Sequence, residues 1–336
     1  MKRSKTIKKV SFIYTALLLA FSLYVVLDTF VIPRQLAAAE PQTVALSQTL
    51  REGDAVTEIQ TVHASEAAEA ADAQDAAQDT GVTLPQSSTL SLSGEVIGSW
   101  SGENASVTVT ALRAYDTTIY FAEVAVTSPD VLKTAFAYDT YGKNVKQETS
   151  EIAEDHDAVL AINGDFYGSR NKGYVIRNGV LYRDKGAAGR EDLAILSDGS
   201  FLFFDESEYS AQELLNAGAL QVFSFGPALL SDGSILVDEN DEVGKAMASN
   251  PRTAIGRIDD LHYMFVVSDG RSSESEGLSL YELATLLQSA GVRDAYNLDG
   301  GGSSTMVFLG EVINKPTTRG SRVSERDISD IVYIGE

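Results

Sequence analysis

The stretch SLYELATLLQSAGVRDAYNLDGGGSSTM, residues 279–306, sets a helix, a strand and a glycine turn in immediate succession. Ser279 and Glu282 form a capping box, and apolar residues recur at 280, 283, 286 and 287 before Gly291 ends the pattern, so a helix is predicted over Ser279–Ala290. Asp294–Leu298 then reads as a strand running into the carboxylate of Asp299. Gly300, Gly301 and Gly302 follow, and after them the hydroxyls of Ser303, Ser304 and Thr305. An ordinary strand end needs one glycine. Three in a row predict that something packs where a Cβ would forbid it. The turn is not a phosphate loop of the G-x-x-x-x-G-K-[ST] type, because the lysine is absent, and it is not G-x-G-x-x-G.

Outward from this stretch, strands dominate. Ala105–Ala111 and Thr118–Thr127 alternate like a hairpin. Ala158–Ile162 reads as a buried strand. Asn178-Gly179 and Asp198-Gly199 sit between strand-like runs as hairpin turns, and Thr253–Ile258 pairs in pattern with His262–Val267. Short helices are expected over Lys146–Glu154 and Ala211–Ala217, and Ile328–Ile334 is a closing strand. The reading is an α+β fold with mixed, mostly antiparallel sheets and a few scattered helices. One globular domain, 92–336, stands behind an N-terminal transmembrane segment.

The N-terminus supports that organisation. Residues 1–9 carry Lys2, Arg3, Lys5, Lys8 and Lys9, and 10–32 contains only Asp28 as a charge. As a helix at ~1.5 Å per residue, 10–32 approaches roughly 35 Å, enough for a bilayer core of about 30 Å. Cations in front place the remainder of the chain outside the cytoplasm. The expectation is a single-pass signal-anchor with the domain extracellular. A cleaved signal peptide, with Ala37-Ala38-Ala39 as the processing site, is the alternative, and it gives a secreted product. Residues 33–91 are rich in Ala, Glu, Asp and Gln with no apolar face, and read as a solvated linker.

Composition narrows the chemistry. The 336 residues are 44% apolar and carry a net charge of −22, which argues against nucleic acid as a partner. No cysteine is present, so thiolate catalysis and disulfides are excluded. The three histidines lie in unrelated contexts, and G-x-S-x-G is absent. Carboxylates and arginines at strand ends are what remain. They are of the type that hold Ca²⁺ or Mg²⁺, although no EF-hand spacing occurs.

Four polar clusters stand at strand ends. Asn163-Gly164-Asp165-Phe166-Tyr167 is a turn in its plain reading. In its functional reading, Asn163 and Asp165 stand at a pocket mouth walled by Phe166 and Tyr167. In Asn250-Pro251-Arg252-Thr253-Ala254, Arg252 is either a solvated cation or an anion clamp. Ser268-Asp269-Gly270-Arg271 has near-copies at Ser197-Asp198-Gly199 and Ser231-Asp232-Gly233 that read as turns. Arg271 and the polar run 272–277 set it apart. The fourth cluster is the triple glycine.

Together these segments resemble the phosphodiester glycosidase family over roughly 158–334. The resemblance rests on Ala161-Ile162-Asn163-Gly164-Asp165-Phe166, Pro251-Arg252-Thr253-Ala254-Ile255-Gly256, Asp269-Gly270-Arg271, Leu298–Met306 and Glu325-Arg326-Asp327-Ile328-Ser329-Asp330. Asp165 departs from the pattern, where a small residue is expected. The resemblance implies cleavage of a sugar-1-phosphodiester at the glycosidic C–O bond. Asp269, Asp299, Arg252 and Arg271 are then the catalytic candidates. Asn163, Asp165, Phe166, Thr253, Gly300, Gly301, Gly302, Ser303, Ser304 and Arg326 are the substrate-binding candidates. Arginines would hold the phosphate, a carboxylate would face the oxocarbenium-like sugar, and the N–H groups of 300–304 would contact ligand oxygens.

Two classes of function follow. One is a membrane-tethered hydrolase of envelope or exopolysaccharide phosphodiesters, with P–O cleavage as the variant reaction. The other is a non-catalytic module for anionic glycans, which needs the arginines but no poised carboxylate.

Overall fold

The computed structural model describes residues 2–38, 94–187, 189–242, 249–318 and 322–335, with the side chains of 2–13 and 29–30 outside that description. Most of the acidic span expected as a linker therefore lies outside the described residues. The backbone of Lys2–Phe30 is one helix. Among the described residues no helix is long and apolar enough to cross a membrane. Just past this helix, Arg34–Gln35 pairs with Gly142–Lys143, and the Asn144 side-chain amide donates to the Ile32 carbonyl at 3.2 Å. The start of the expected linker is thus fixed on the domain.

Three larger sheets build the domain. The eight-stranded sheet has Ser234–Ile235, Ala228–Ser231, Asp294–Asn297, Thr253–Asp259, His262–Ser268, Thr117–Val126, Ala105–Ala114 and Glu95–Ser101 in spatial order. A five-stranded sheet runs Glu311–Val312, Met306–Phe308, Ala158–Asn163, Asp330–Gly335 and Leu132–Phe136. The other runs Phe201–Asp205, Glu191–Leu196, Ala219–Phe223, Val175–Arg177 and Val180–Arg183. Every ladder between described strands is antiparallel; the only parallel pairing among them is the bridge from Thr317 to Ser324.

The period of two explains the layering. In His262–Ser268, Tyr263, Phe265 and Val267 point into a core shared by all three sheets, while Met264 and Val266 point to the opposite face. Leu280–Ser289 covers that opposite face with Leu280, Leu283, Ala284, Leu286 and Leu287 buried. Each such Leu contributes about 1.5–3 kcal/mol of burial. Its capping box forms as the sequence predicts, with Ser279 Oγ accepting from the Glu282 N–H at 3.1 Å. Thr149–Asp155 packs on the sheet that carries Asn163, and Ala211–Asn216 packs on the third sheet.

The helix expected from Lys146 begins three residues later, at Thr149. Residues 146 and 147 stay extended because Gln147 exchanges both backbone hydrogen bonds with Ile328, at 3.0 and 2.8 Å. Long-range pairing overrides local propensity there. The strands Leu132–Phe136, Ala219–Phe223, Ala228–Ser231 and Met306–Phe308 are short and carry little alternation of their own. Their partners in the sheets define them.

Candidate active site

The triple-glycine turn is the crossing between two sheets. It leaves Asp294–Asn297 in the eight-stranded sheet and enters Met306–Phe308 in the five-stranded sheet beside Ala158–Asn163. The fully buried Asn163 fastens the crossing. Its Nδ2 donates to the Asp299 carbonyl at 2.6 Å, and its Oδ1 accepts from Thr253 Oγ1 at 2.9 Å and from the Thr305 N–H at 3.2 Å. Thr253 Oγ1 also lies 3.1 Å from Ser304 Oγ. Three segments meet at one amide.

Each glycine is bare because a neighbour presses on it. A Cβ on Gly300 would sit 2.9 Å from the Pro251 carbonyl oxygen. On Gly301 it would sit 2.8 Å from Arg271 Nη2, and on Gly302 2.6 Å from Arg326 Nη2. Gly301 also has φ +67°, a conformation that side chains disfavour. The expected ligand contacts through the backbone N–H groups of 300–304 are largely pre-empted. Gly301 N–H donates to the Pro251 carbonyl at 2.8 Å, and Ser303 and Ser304 close the turn onto Gly300 and Gly301 at 3.3 Å. The glycines admit arginines more than they cradle an anion.

A cavity of about 200 Å³ opens here, lined by Asp299, Gly300, Gly301, Arg252, Arg271 and Asn250, with Asn297, Leu298 and Phe225 completing the wall. It is smaller than the ~300–1,000 Å³ of drug-sized sites. The structure thus brings Asp299, Arg252, Arg271, Gly300 and Gly301 to one cavity. Ser303 joins them by donating to Asp299 Oδ2 at 2.6 Å, and Arg326 Nη1 lies 3.4 Å from that hydroxyl. Arg252 is buried, with Nε donating to the Leu278 carbonyl and Nη2 paired to Glu242 at 2.7 Å. Arg271 donates to the Asn250 side-chain oxygen at 2.8 Å, from a residue in left-handed conformation at φ 57°.

Electrostatics single out Asp299. Burial raises its pKa above the usual carboxylate range, opposed by the Ser303 hydroxyl and by the cations Arg326 and Arg170. Arg271 is pulled down by burial and then by Arg326 and Arg252, its like-charged neighbours. Arg271, Arg326 and Arg252 thus crowd together in a chain of net charge −22.

Several expected site residues lie elsewhere, among them Asn163, Thr253 and Ser304, which are buried in the crossing and do not line the cavity. Asp165 is not at a pocket mouth. Its buried carboxylate pairs with Arg177 at 3.1 Å and accepts from the N–H groups of Tyr167 and Ser224, both at 2.9 Å. Burial opposes ionisation, but Arg177 and those donors outweigh it and hold the pKa below the usual value. Asp330 receives Arg177 from the other side at 2.8 Å, and burial pushes its pKa up to about 8. Tyr167 is core, packed with Phe136 and Tyr141. Asp269 does not line the cavity either. Its Oδ1 accepts from the Lys315 N–H at 2.7 Å and from Asn314 Nδ2 at 3.4 Å, and Asn314 in turn donates to the Ser304 carbonyl at 3.0 Å. Burial raises its pKa against those donors. Phe166 is exposed, with Arg170 and Lys146 over its ring at 5.5 and 5.9 Å.

Phe225 and Asn297, which line the cavity, were not legible as site residues; Asn297 lies inside the quoted strand and so had a signal of proximity, and Phe225 had none. Among the described residues, no group of three His, Asp or Glu side chains converges to hold a metal ion.

The comparisons agree with the motif reading. The family model for phosphodiester glycosidase matches residues 156–335. The chain is 31% identical over 199 residues to the SPbeta prophage-derived uncharacterized protein YomE of Bacillus subtilis, covering 55% of this chain and 31% of that one. It is 29% identical over 173 residues to mouse N-acetylglucosamine-1-phosphodiester alpha-N-acetylglucosaminidase, covering 47% of this chain and 33% of the other. The chain thus spans about a third of the length of these curated relatives. The catalytic domain of the zebrafish N-acetylglucosamine-1-phosphodiester alpha-N-acetylglucosaminidase, auto-inhibited by its pro-peptide, shares the fold with a TM-score of 0.56 at 21% identity, covering 72% of this chain and 87% of that chain.

Proposed function

The chain belongs to the phosphodiester glycosidase family, and from that premise we propose that it hydrolyses sugar-1-phosphodiesters on the sugar side of the bridging oxygen. The observation that carries the reading is the placement of Arg271 and Arg326 against Gly301 and Gly302, beside the Asp299 carboxylate. A phosphate monoester is a good leaving group. Its departure requires that its charge be held more than that it be protonated, and guanidinium donors do this in paired geometry. The sugar carbon left behind gains positive character, which the Asp299 carboxylate stabilises or attacks before water adds. Ser303 orients that carboxylate. Asn163 and Thr253 hold the turn, and Asp269 holds the 314–315 loop against Ser304 as a positioning residue.

The tether belongs to the same reading. Basic residues followed by the apolar run 10–32 support an exported protein anchored by its N-terminus, with envelope or exopolysaccharide phosphodiesters within reach.

The test uses the full chain, UDP-N-acetylglucosamine and water labelled with ¹⁸O. Label in free N-acetylglucosamine supports C–O cleavage. Label in a phosphate product assigns a phosphodiesterase instead. Binding without turnover across pH and divalent cations leaves only the glycan-binding module.

A further inference from the structure

Two arginines meet on one carbonyl beside the cavity wall. The segment Ser224-Phe225-Gly226 leaves the strand Ala219–Phe223 of one sheet and leads into Ala228–Ser231 of another. It is pinned along its length. The Ser224 N–H donates to Asp165 Oδ2 at 2.9 Å, and the Phe225 N–H to Tyr296 Oη at 3.0 Å. The Gly226 carbonyl accepts from Asn297 Nδ2 at 2.8 Å. Phe225 is thereby fixed as part of the wall of the Asp299 cavity. Asp165, the residue that departs from the family pattern, is one of the pins.

The Ser224 carbonyl is left for the arginines. Arg170 Nη1 donates to it, and Arg190 Nη1 lies 3.5 Å from the same oxygen. The two come from separate segments: Arg170 from the turn after Phe166, Arg190 from just before the strand Glu191–Leu196. The Arg170 guanidinium also stands over the Phe225 ring at 5.2 Å, so it packs against a side chain that lines the cavity. A guanidinium carries five N–H donors, and a carbonyl offers two lone pairs. Two guanidiniums on one carbonyl are therefore short of acceptors. The Phe225 and Phe166 rings attract the Arg170 charge but take no in-plane hydrogen bond. Among the described residues neither arginine forms a salt bridge, although the chain has 48 acidic residues against 26 basic ones. Asp165, whose charge reaches Arg170, is already turned to Arg177. Burial, and then the like charge of Arg190, pull the Arg170 pKa down.

We propose that Arg170 and Arg190 form a second anion subsite, next to the Asp299 cavity across Phe225, and that it holds a further phosphate of the same substrate. The inference rests on the glycosidase reading for the scissile phosphate. It narrows the substrate class to sugar-1-phosphodiesters whose leaving group carries another phosphate. That phosphate is joined directly to the first, as in a sugar nucleoside diphosphate, or stands a short polyol away, as in a polymer of phosphodiesters. Its oxygens would supply the in-plane acceptors that one carbonyl cannot, in the paired geometry that guanidinium groups favour.

The test compares one phosphate with two. Inorganic phosphate, inorganic pyrophosphate and propanediol bisphosphate are titrated calorimetrically into the full chain, into Arg170→Gln and Arg190→Gln, and into the double variant. The wild type is expected to bind one of the two-phosphate probes at least ~tenfold more tightly than inorganic phosphate, and the double variant to lose that preference. Preference for pyrophosphate assigns the directly joined phosphate, and preference for the bisphosphate the spaced one. Arg293→Gln, just before the strand Asp294–Asn297 and so at its far end from Asp299, removes the same charge as either single variant and should keep the preference. No preference in the wild type overturns the proposal. So does a preference that survives the double variant, or one that Arg293→Gln reduces as much as the single variants do. If the double variant fails to fold, Arg190→Gln decides alone, because it leaves the packing of Arg170 on Phe225 in place. An undiminished preference in Arg190→Gln then overturns the subsite. Sugar release from UDP-N-acetylglucosamine without any two-phosphate preference removes the subsite and keeps the glycosidase reading. A preference that depends on the arginines, without sugar release, upholds the subsite and removes that reading.

Discussion

Arg271 Nη2 lies 2.8 Å from the point where a Cβ on Gly301 would stand. The end of the guanidinium lies where that methyl group would stand and would have to shift to admit it. The observed position of the Arg271 guanidinium therefore depends on a missing methyl group.

Gly301→Ala is accordingly expected to displace Arg271 and to strain a backbone at φ +67°. Strain of this kind costs about 1–3 kcal/mol. Thermal unfolding should show that loss, and inorganic phosphate affinity should fall with it. A Gly301→Ala variant with wild-type phosphate binding would show that the arginine is not a ligand group. Gly302→Ala would press on Arg326 in the same way but also on the Thr318 backbone, 2.8 Å from the added methyl.

Asp299 and Asp269 should separate cleanly under isosteric change. Asp299→Asn removes the charge that faces the sugar, and turnover is expected to fall ~10³-fold or more while ligand affinity changes little. Asp269→Asn keeps an oxygen to accept from Lys315, so it should retain most activity. Comparable losses in the two variants would return Asp269 to the chemistry.

The pH profile carries the sign of the Asp299 shift. Its pKa is raised by burial, so a required carboxylate would form only above the ordinary Asp range near 3.9. The rate should rise with pH through a midpoint above that value, and Ser303→Ala, which removes a stabilising hydroxyl, should move the midpoint higher. Steady-state rates measured across mildly acidic pH decide it; a midpoint at or below the ordinary value contradicts the assignment.

Asn163→Ala strips the buried anchor of the crossing. The Asp299 carbonyl, Thr253 hydroxyl and Thr305 N–H lose a partner together. With unsatisfied buried groups costing about 1–3 kcal/mol each, a stability loss of roughly 3 kcal/mol is expected in denaturant titration. Activity should decline in the surviving folded fraction, because the position of Asp299 is set through its own carbonyl.

Stability should fall between mildly acidic and mildly alkaline pH. Asp330 titrates near 8 in the folded chain and Asp192, buried beside Glu206, near 9, against about 3.9 when unfolded. The folded state then holds more protons over that window, so the slope of unfolding free energy with pH is negative. Asp165, held low by Arg177, contributes the opposite sign, but only below about 4. Melting temperatures from pH 5 to 8 should decline in wild type and decline less in Asp330→Asn and Asp192→Asn. Identical slopes would place the protons elsewhere.

Much of this was written locally. The helix Leu280–Ser289 announced itself by its cap and its spacing, and the Asn178-Gly179 hairpin by its turn. Asp198, a near-copy of Asp269 in local sequence, accepts the Ser200 N–H within its own turn at 2.9 Å, as a turn residue does. Asp269 instead reaches across 46 positions to Lys315. Identical short strings thus took different roles, because the deciding partner lies far along the chain.

By itself the sequence determined the sheet-rich α+β class, the acidic charge and the strand-end inventory of Arg252, Arg271, Asp299 and three glycines, since spacing and composition act over a few residues. Only the folded chain decided that Asp165 would turn inward to Arg177 and that Asp269 would brace a loop. Those outcomes depend on which sheets meet at the crossing and on the cost of burying a charge without a partner. Neither quantity is carried by any short stretch of residues.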